Sequence, residues 1–163
     1  GTSCDTPEFA AYAIAQWWTD PDRPRFAQED KLLILCDAGG SNNCRYWRWK
    51  IEVQKQLADA FGIEVFVCHY PTGASKWNPI EHRLFSEISK NWAGKPLQTF
   101  QMMLNYIRDT TTETGLKVKA YLVEHVFEKG VKYDPQERDN LNLQRCHTCP
   151  TWNYILRPHA CSG

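Results

Sequence analysis

The sequence predicts an α/β fold, on three observations. Leu32-Leu33-Ile34-Leu35-Cys36 is short and continuously apolar, and residues 63–68 (IEVFVC) read as a second, largely apolar strand. Between them Trp47, Ile51, Gln54, Ala58 and Phe61 recur on one helical face. Apolar runs of that length without alternation mark strands buried on both faces. Strand, helix and strand in that order predict a parallel pair joined by a right-handed crossover.

The other elements follow in chain order. Thr6-Pro7-Glu8 opens a helix with a hydroxyl cap and Pro at the first helical position, and Ala10, Ala13, Ile14 and Trp17 continue it. Residues 20–24, with two prolines, are a loop, and residues 37–43 (DAGGSNN) are turn-forming. Gly62 closes the second helix. A polar loop over residues 69–77 leads to Asn78-Pro79-Ile80-Glu81, where Ile80, Leu84, Ile88 and Trp92 mark a helix that stops near Gly94. Leu97, Phe100, Leu104 and Ile107 mark another. Leu116, Val118, Ala120 and Leu122 alternate with more polar neighbours, which predicts a strand. Asp134-Pro135-Gln136-Glu137 begins a short helix in a tail otherwise expected to be irregular from about residue 123. The chain is expected to form one domain, residues 1–163.

Bulk composition excludes several classes. With 42% hydrophobic and 23% charged residues the chain is not disordered, and no apolar run is long enough to cross a bilayer. No secretory signal is visible. The 19 basic and 19 acidic residues cancel, which argues against a stand-alone DNA-binding domain but not against a catalytic core with DNA affinity elsewhere. Seven cysteines are an odd number, and Cys36 and Cys68 lie inside apolar runs, so a reduced cytosolic protein is expected.

Two acids stand out. Asp37 follows the first predicted strand beside glycines, where strand ends and helix starts of an open α/β sheet converge; a turn Asp bonded to its own backbone is the plain alternative. Glu81 is the third residue of a helix capped by Asn78, so a capping box is its plain alternative. Asp134-Pro135-Gln136-Glu137 repeats that cap–Pro–x–Glu arrangement away from any other chemistry, so the tetrapeptide is weak evidence by itself. The combination is stronger. An acid at one strand tip and an acid on the helix after the neighbouring strand can share a divalent cation, with carboxylates roughly 4–8 Å apart. Hard oxygen ligands suit Mg²⁺ or Mn²⁺.

Residues 32–43 (LLILCDAGGSNN) and 67–86 (VCHYPTGASKWNPIEHRLFS) resemble the catalytic core of DDE transposases, in particular the insertion-sequence family labelled Rhodopirellula-type, a relative of mariner-like enzymes. The opening GTSCDTPEFA, residues 110–122 (TTTETGLKVKAYL) and the late WNYI are similar to it too. The resemblance implies a ribonuclease H-like fold and metal-dependent cleavage and strand transfer on transposon-end DNA in a bacterial cytoplasm. On matching positions Asp37 is the second acid of a triad and Glu81 the third. Asn42, His69, Lys76, Asn78 and His82 would contact DNA or support the acids, with Asn78 as helix cap, Lys76 toward a phosphate, and His69 and Ser75 on the loop that rims the site.

The chain departs from that pattern because the first acid is not evident, and Asp5 is a poor substitute. The expectation is a partial ribonuclease H-like fold holding strands 4 and 5 with flanking helices, without the first three strands, and inactive alone. A rival reading is a non-catalytic remnant serving as a DNA- or protein-interaction module. Cys146, His147 and Cys149 with His159 and Cys161 are weighed as a zinc site, but the His-x-Cys spacing is not a usual hook and zinc is not expected. Trp49 and Trp77 are the tryptophans singled out for stacking on DNA. The first strand is expected to be paired on one side only. Either the strand near residues 116–122 folds back to cover the open edge, or two chains pair there as a homodimer, the favoured outcome.

Overall fold

The computed structural model describes residues 2–21, 28–71 and 73–160, apart from the side chains of Ser75 and Glu81. The chain divides into two compact units, one of residues 4–72 and 127–163, the other of residues 1–3 and 73–126.

The larger unit is α/β. Helix α1 (Pro7–Trp18) starts where Thr6 accepts the Phe9 amide at 3.2 Å, as a hydroxyl cap should. Strand β1 (Lys31–Cys36) pairs in parallel with β2 (Glu64–His69), in the register Leu33 to Phe66 and Cys36 to His69. Helix α2 (Trp47–Val53) lies between them in sequence and runs on through a π-helical stretch, Gln54–Asp59, to Gly62 at φ +65. The strand–helix–strand expectation therefore holds as a parallel pair.

Two-sided burial of β1 does not. Leu32 and Cys36 are buried, but Leu33 and Leu35 are 59% and 53% exposed. α1 and α2 pack on one sheet face only, where Ala11, Trp18, Trp49, Val53 and Leu57 close on Leu32, Val65 and Val67. Apolar continuity in sequence reports β-propensity and hydrophobicity, not which face this unit covers.

The tail is not irregular either. Helix α5 (Pro135–Asp139) carries the predicted cap, with Asp134 accepting the Gln136 amide and Glu137 reaching back to the Asp134 amide. Two strands follow, β3 (Leu143–Arg145) and β4 (Asn153–Leu156), both antiparallel, giving the order β1-β2-β4-β3. They escape a sequence reading because they are three and four residues long. β4 nevertheless completes the core, with Tyr154 and Leu156 fully buried. The far edge of β1 has no strand partner among the described residues.

In the smaller unit a π-helical turn, Glu81–Phe85, leads into α3 (Ser86–Trp92), which ends before Gly94 at φ +71. α3 packs on α4 (Phe100–Arg108), capped by Thr99, through Ile88 and Leu104 and through the Asn91 amide on the Tyr106 carbonyl at 2.6 Å. The strand predicted near residues 116–122 is absent. Leu116, Val118, Ala120 and Leu122 are half-buried between exposed neighbours, so the period of two is kept in an extended segment. No ladder forms, and some of its carbonyls find other donors: Arg108 Nε at Ala120 (2.8 Å) and the Thr2 amide at Val123 (3.0 Å). The fold-back of this segment onto β1 is thereby overturned.

Candidate catalytic site

Asp37 is the first residue beyond β1, and its side chain is exposed. The loop that it opens is held at several carbonyls. Asn43 donates to the Ala38 carbonyl at 2.6 Å and accepts the Arg45 amide at 2.9 Å. Lys50, reaching out of α2, donates to the Cys44 carbonyl. His69, at the end of β2, bonds the Asp37 carbonyl at 3.0 Å. With its amide nitrogen turned toward the acid, Asn42 donates to Asp37 Oδ1 at 3.3 Å and to the Gly39 carbonyl at 2.7 Å. A β-carbon at Gly39 would sit 3.7 Å from Asp37 Oδ2, so glycine leaves that oxygen uncovered. An exposed carboxylate with one oxygen oriented by an amide and the other open suits a hard divalent cation.

Beneath the acid lies a buried polar chain. Cys36 Sγ is 3.2 Å from His69 Nδ1, and Tyr154 Oη is 3.3 Å from His69 Nε2. Burial pushes the Cys36 thiol up to about 12, with the Asp37 charge adding, so it stays protonated at neutral pH. Burial pushes the Tyr154 phenol up as well. Burial holds the His69 ring below its ordinary value, opposed by its bond to the Asp37 carbonyl and assisted by the Lys50 charge. Lys50 is only 2% exposed, its ammonium 4.8 Å from the Trp47 ring centre and 5.2 Å from that of Tyr154. Burial lowers it to about 8, and the Arg145 charge acts in the same sense.

Of the two roles expected for His69, the structure supports the second: it is the last residue of β2 and buried, not on the loop, and it bonds the Asp37 carbonyl. Trp49 is likewise core, at 1% exposure, and is corrected from a stacking candidate to a packing residue. Lys50 and Tyr154 were missed. Lys50 had a signal, because it is three residues from Trp47 and four from Gln54 and so shares their buried stripe. Tyr154, on a four-residue strand, had only its place in the late WNYI stretch.

The motif around Glu81 lies in the smaller unit. Asn78 accepts the Ile80 amide at 3.3 Å, which makes it the expected cap. His82 Nε2 bonds the Lys76 carbonyl at 3.0 Å, tying the helix start to the loop before it, and Ser86 bonds the His82 carbonyl. Lys76 places its ammonium 5.2 Å from the centre of the Trp77 ring, which is 71% exposed. The Glu81 carboxylate, and with it the expected approach to Asp37, lies outside the described residues, as does Cys161 of the weighed zinc set. His159 is turned to Asp59 (3.1 Å) and to the Asn140 carbonyl (2.8 Å). Among the described residues no three His, Cys, Asp or Glu side chains gather as a metal cluster, and no helix is long and apolar enough to cross a membrane.

A family profile described as Rhodopirellula transposase DDE domain matches residues 1–158. No curated protein and no solved structure matches the chain significantly.

Proposed function

We propose, because the chain belongs to the Rhodopirellula transposase DDE-domain family, that Asp37 and Glu81 are two of three acids serving cation-dependent cleavage and joining of transposon-end DNA. DDE transposase domains use divalent metal ions, and a transposase family implies DNA binding. The observation that carries the assignment is Asp37 itself: an exposed carboxylate on a strand tip whose following loop is bonded at the carbonyls of residues 37, 38, 39 and 44. When bound, Mg²⁺ or Mn²⁺ would activate the attacking oxygen and offset charge at the phosphate. Asn42 orients Asp37, Asn78 sets the start of the helix that carries Glu81, and His82 fixes the loop that presents Lys76. Lys76 and Trp77 supply an exposed charge and ring for a phosphate and a base.

Mn²⁺ titration of the isotopically labelled chain tests the assignment. Paramagnetic broadening is expected first at the amides of residues 37–43, and Asp37→Asn is expected to remove it. A loop that stays sharp while other regions broaden would refute Asp37 as a ligand.

The first acid of the triad, in this reading, belongs to a strand that pairs with the far edge of β1. Among the described residues that edge has no strand partner, and it carries exposed Leu33 and Leu35, with no proline to blunt it and a single charge, Lys31. Left to itself, the chain pairs there with a second copy about a two-fold axis. Sedimentation at micromolar concentration is expected to give a dimer, and Leu33→Lys with Leu35→Lys a monomer. A wild-type chain that stays monomeric would end the idea.

A further inference from the structure

We propose that His69 is a positioning residue locked in the Nδ1–H tautomer, which together with its neighbour Tyr70 pins both peptide groups flanking Asp37. The proposal rests on the reading of Asp37 as a cation ligand.

A carbonyl oxygen only accepts, so the 3.0 Å approach of His69 Nδ1 to the Asp37 carbonyl requires the proton on Nδ1. With a single proton on the ring, Nε2 keeps a lone pair, and the Tyr154 hydroxyl, 3.3 Å away, is its donor. Cys36 Sγ, 3.2 Å from Nδ1, does not reverse this. A thiol donating to a bare Nδ1 would set two lone pairs, on the nitrogen and on the Asp37 oxygen, against each other at 3.0 Å. The sulfur instead shares the Nδ1 proton as a weak acceptor.

The consequence lies in the backbone. The Tyr70 amide donates to the Cys36 carbonyl at 2.7 Å, which fixes the peptide group before the Asp37 Cα. His69 fixes the peptide group after it. Consecutive residues at the end of β2 thus hold both planes that meet at Asp37, so the direction of its Cα–Cβ bond is set and only side-chain torsions remain. Asn42 restrains those through Oδ1. Tyr154, reaching His69 from β4, braces the ring from the far side, so the acid on β1 is aligned through β2 by β4. Supporting groups of this kind typically change metal affinity about 10–100-fold when removed.

Long-range proton–nitrogen spectra of the whole chain, near neutral pH, read the tautomer directly. A protonated Nδ1 and a bare Nε2 are expected for His69, and the Nε2–H form would overturn the proposal. Function is read by Mn²⁺ affinity at Asp37 in two variants, with urea melts confirming that each is folded. His69→Asn keeps a donor near the Nδ1 position and is expected to bind within a few-fold of wild type. His69→Gln moves the donor to the Nε2 position and is expected to lose about tenfold or more. Equal affinities in wild type and His69→Gln would overturn positioning while leaving Asp37 a ligand. A wild type with the predicted tautomer but no Mn²⁺ at Asp37 would instead overturn the ligand reading, and the positioning role with it.

Discussion

Asp37→Asn is expected to lower DNA cleavage by a transposase carrying this domain about 10²–10³-fold, because on the proposed reading it removes a charge that holds the cation while leaving the size of the side chain unchanged. Glu81→Gln is expected to do the same, and the double variant little more, since groups acting as one unit are not additive. On the proposed reading, in which a further acid is needed beside Asp37 and Glu81, the chain given Mn²⁺ and supercoiled plasmid is expected to leave the DNA intact. Nicking of that plasmid which disappears in Asp37→Asn would show that two acids suffice. A complete enzyme indifferent to Asp37→Asn would remove Asp37 from the catalytic set.

The other large effect concerns Lys50 and is one of stability. Its folded value, about 8, lies below the ordinary 10.5 because of burial. Below about 8 both folded and unfolded chains carry the proton, and the folded state bears the full cost of enclosing it. Between about 8 and 10.5 the unfolded chain still holds a proton that the folded chain has released, so this group makes stability rise with pH. The gap corresponds to about 3 kcal/mol. Cys36 and Tyr154, both raised by burial, act in the opposite sense, since the unfolded chain loses their protons first. The difference between wild type and Lys50→Met separates Lys50 from them. Urea melts at about pH 7.5 and about pH 10.5 are expected to show wild type gaining about 3 kcal/mol on the variant. A difference that does not change with pH would mean that Lys50 is not desolvated in solution.

The parts of the fold legible in the sequence are those written in local pattern. The cap at Thr6, the capping box at Asp134, the glycines after α2 and α3 and the two long apolar strands each rest on residues within one or two turns of one another. What was not legible depends on partners distant in sequence. The period of two over residues 116–122 correctly reported alternating exposure, but nothing in it says whether a ladder is available, and none formed. Leu33 and Leu35 read as interior because their own side chains are apolar; which sheet face is covered depends on where α1 and α2 lie. The site divides the same way. Asp37 was proposed from its place after a strand and beside glycines, and its position directly after β1 holds. How His69 supports it was not legible, because the imidazole acts across the sheet on a backbone carbonyl, and its brace on β4 belongs to a strand too short to leave a pattern. Glu81 was chosen by motif, and its twin at Glu137 is a genuine capping box, which shows how little the tetrapeptide alone decides.

The brace has a consequence for synthesis. His69 and Tyr154 are 85 residues apart, and β4 is the strand that closes the sheet against β2. A nascent chain that has already delivered β1, α2 and β2 from the ribosome still lacks β4, so Tyr154 is not yet there to hold the imidazole. At translation rates of about 5–20 residues per second, that interval lasts several seconds. During it the acid after β1 sits on a loop without its final support, so on the proposed reading the ability to hold a cation firmly matures only after β4 has emerged.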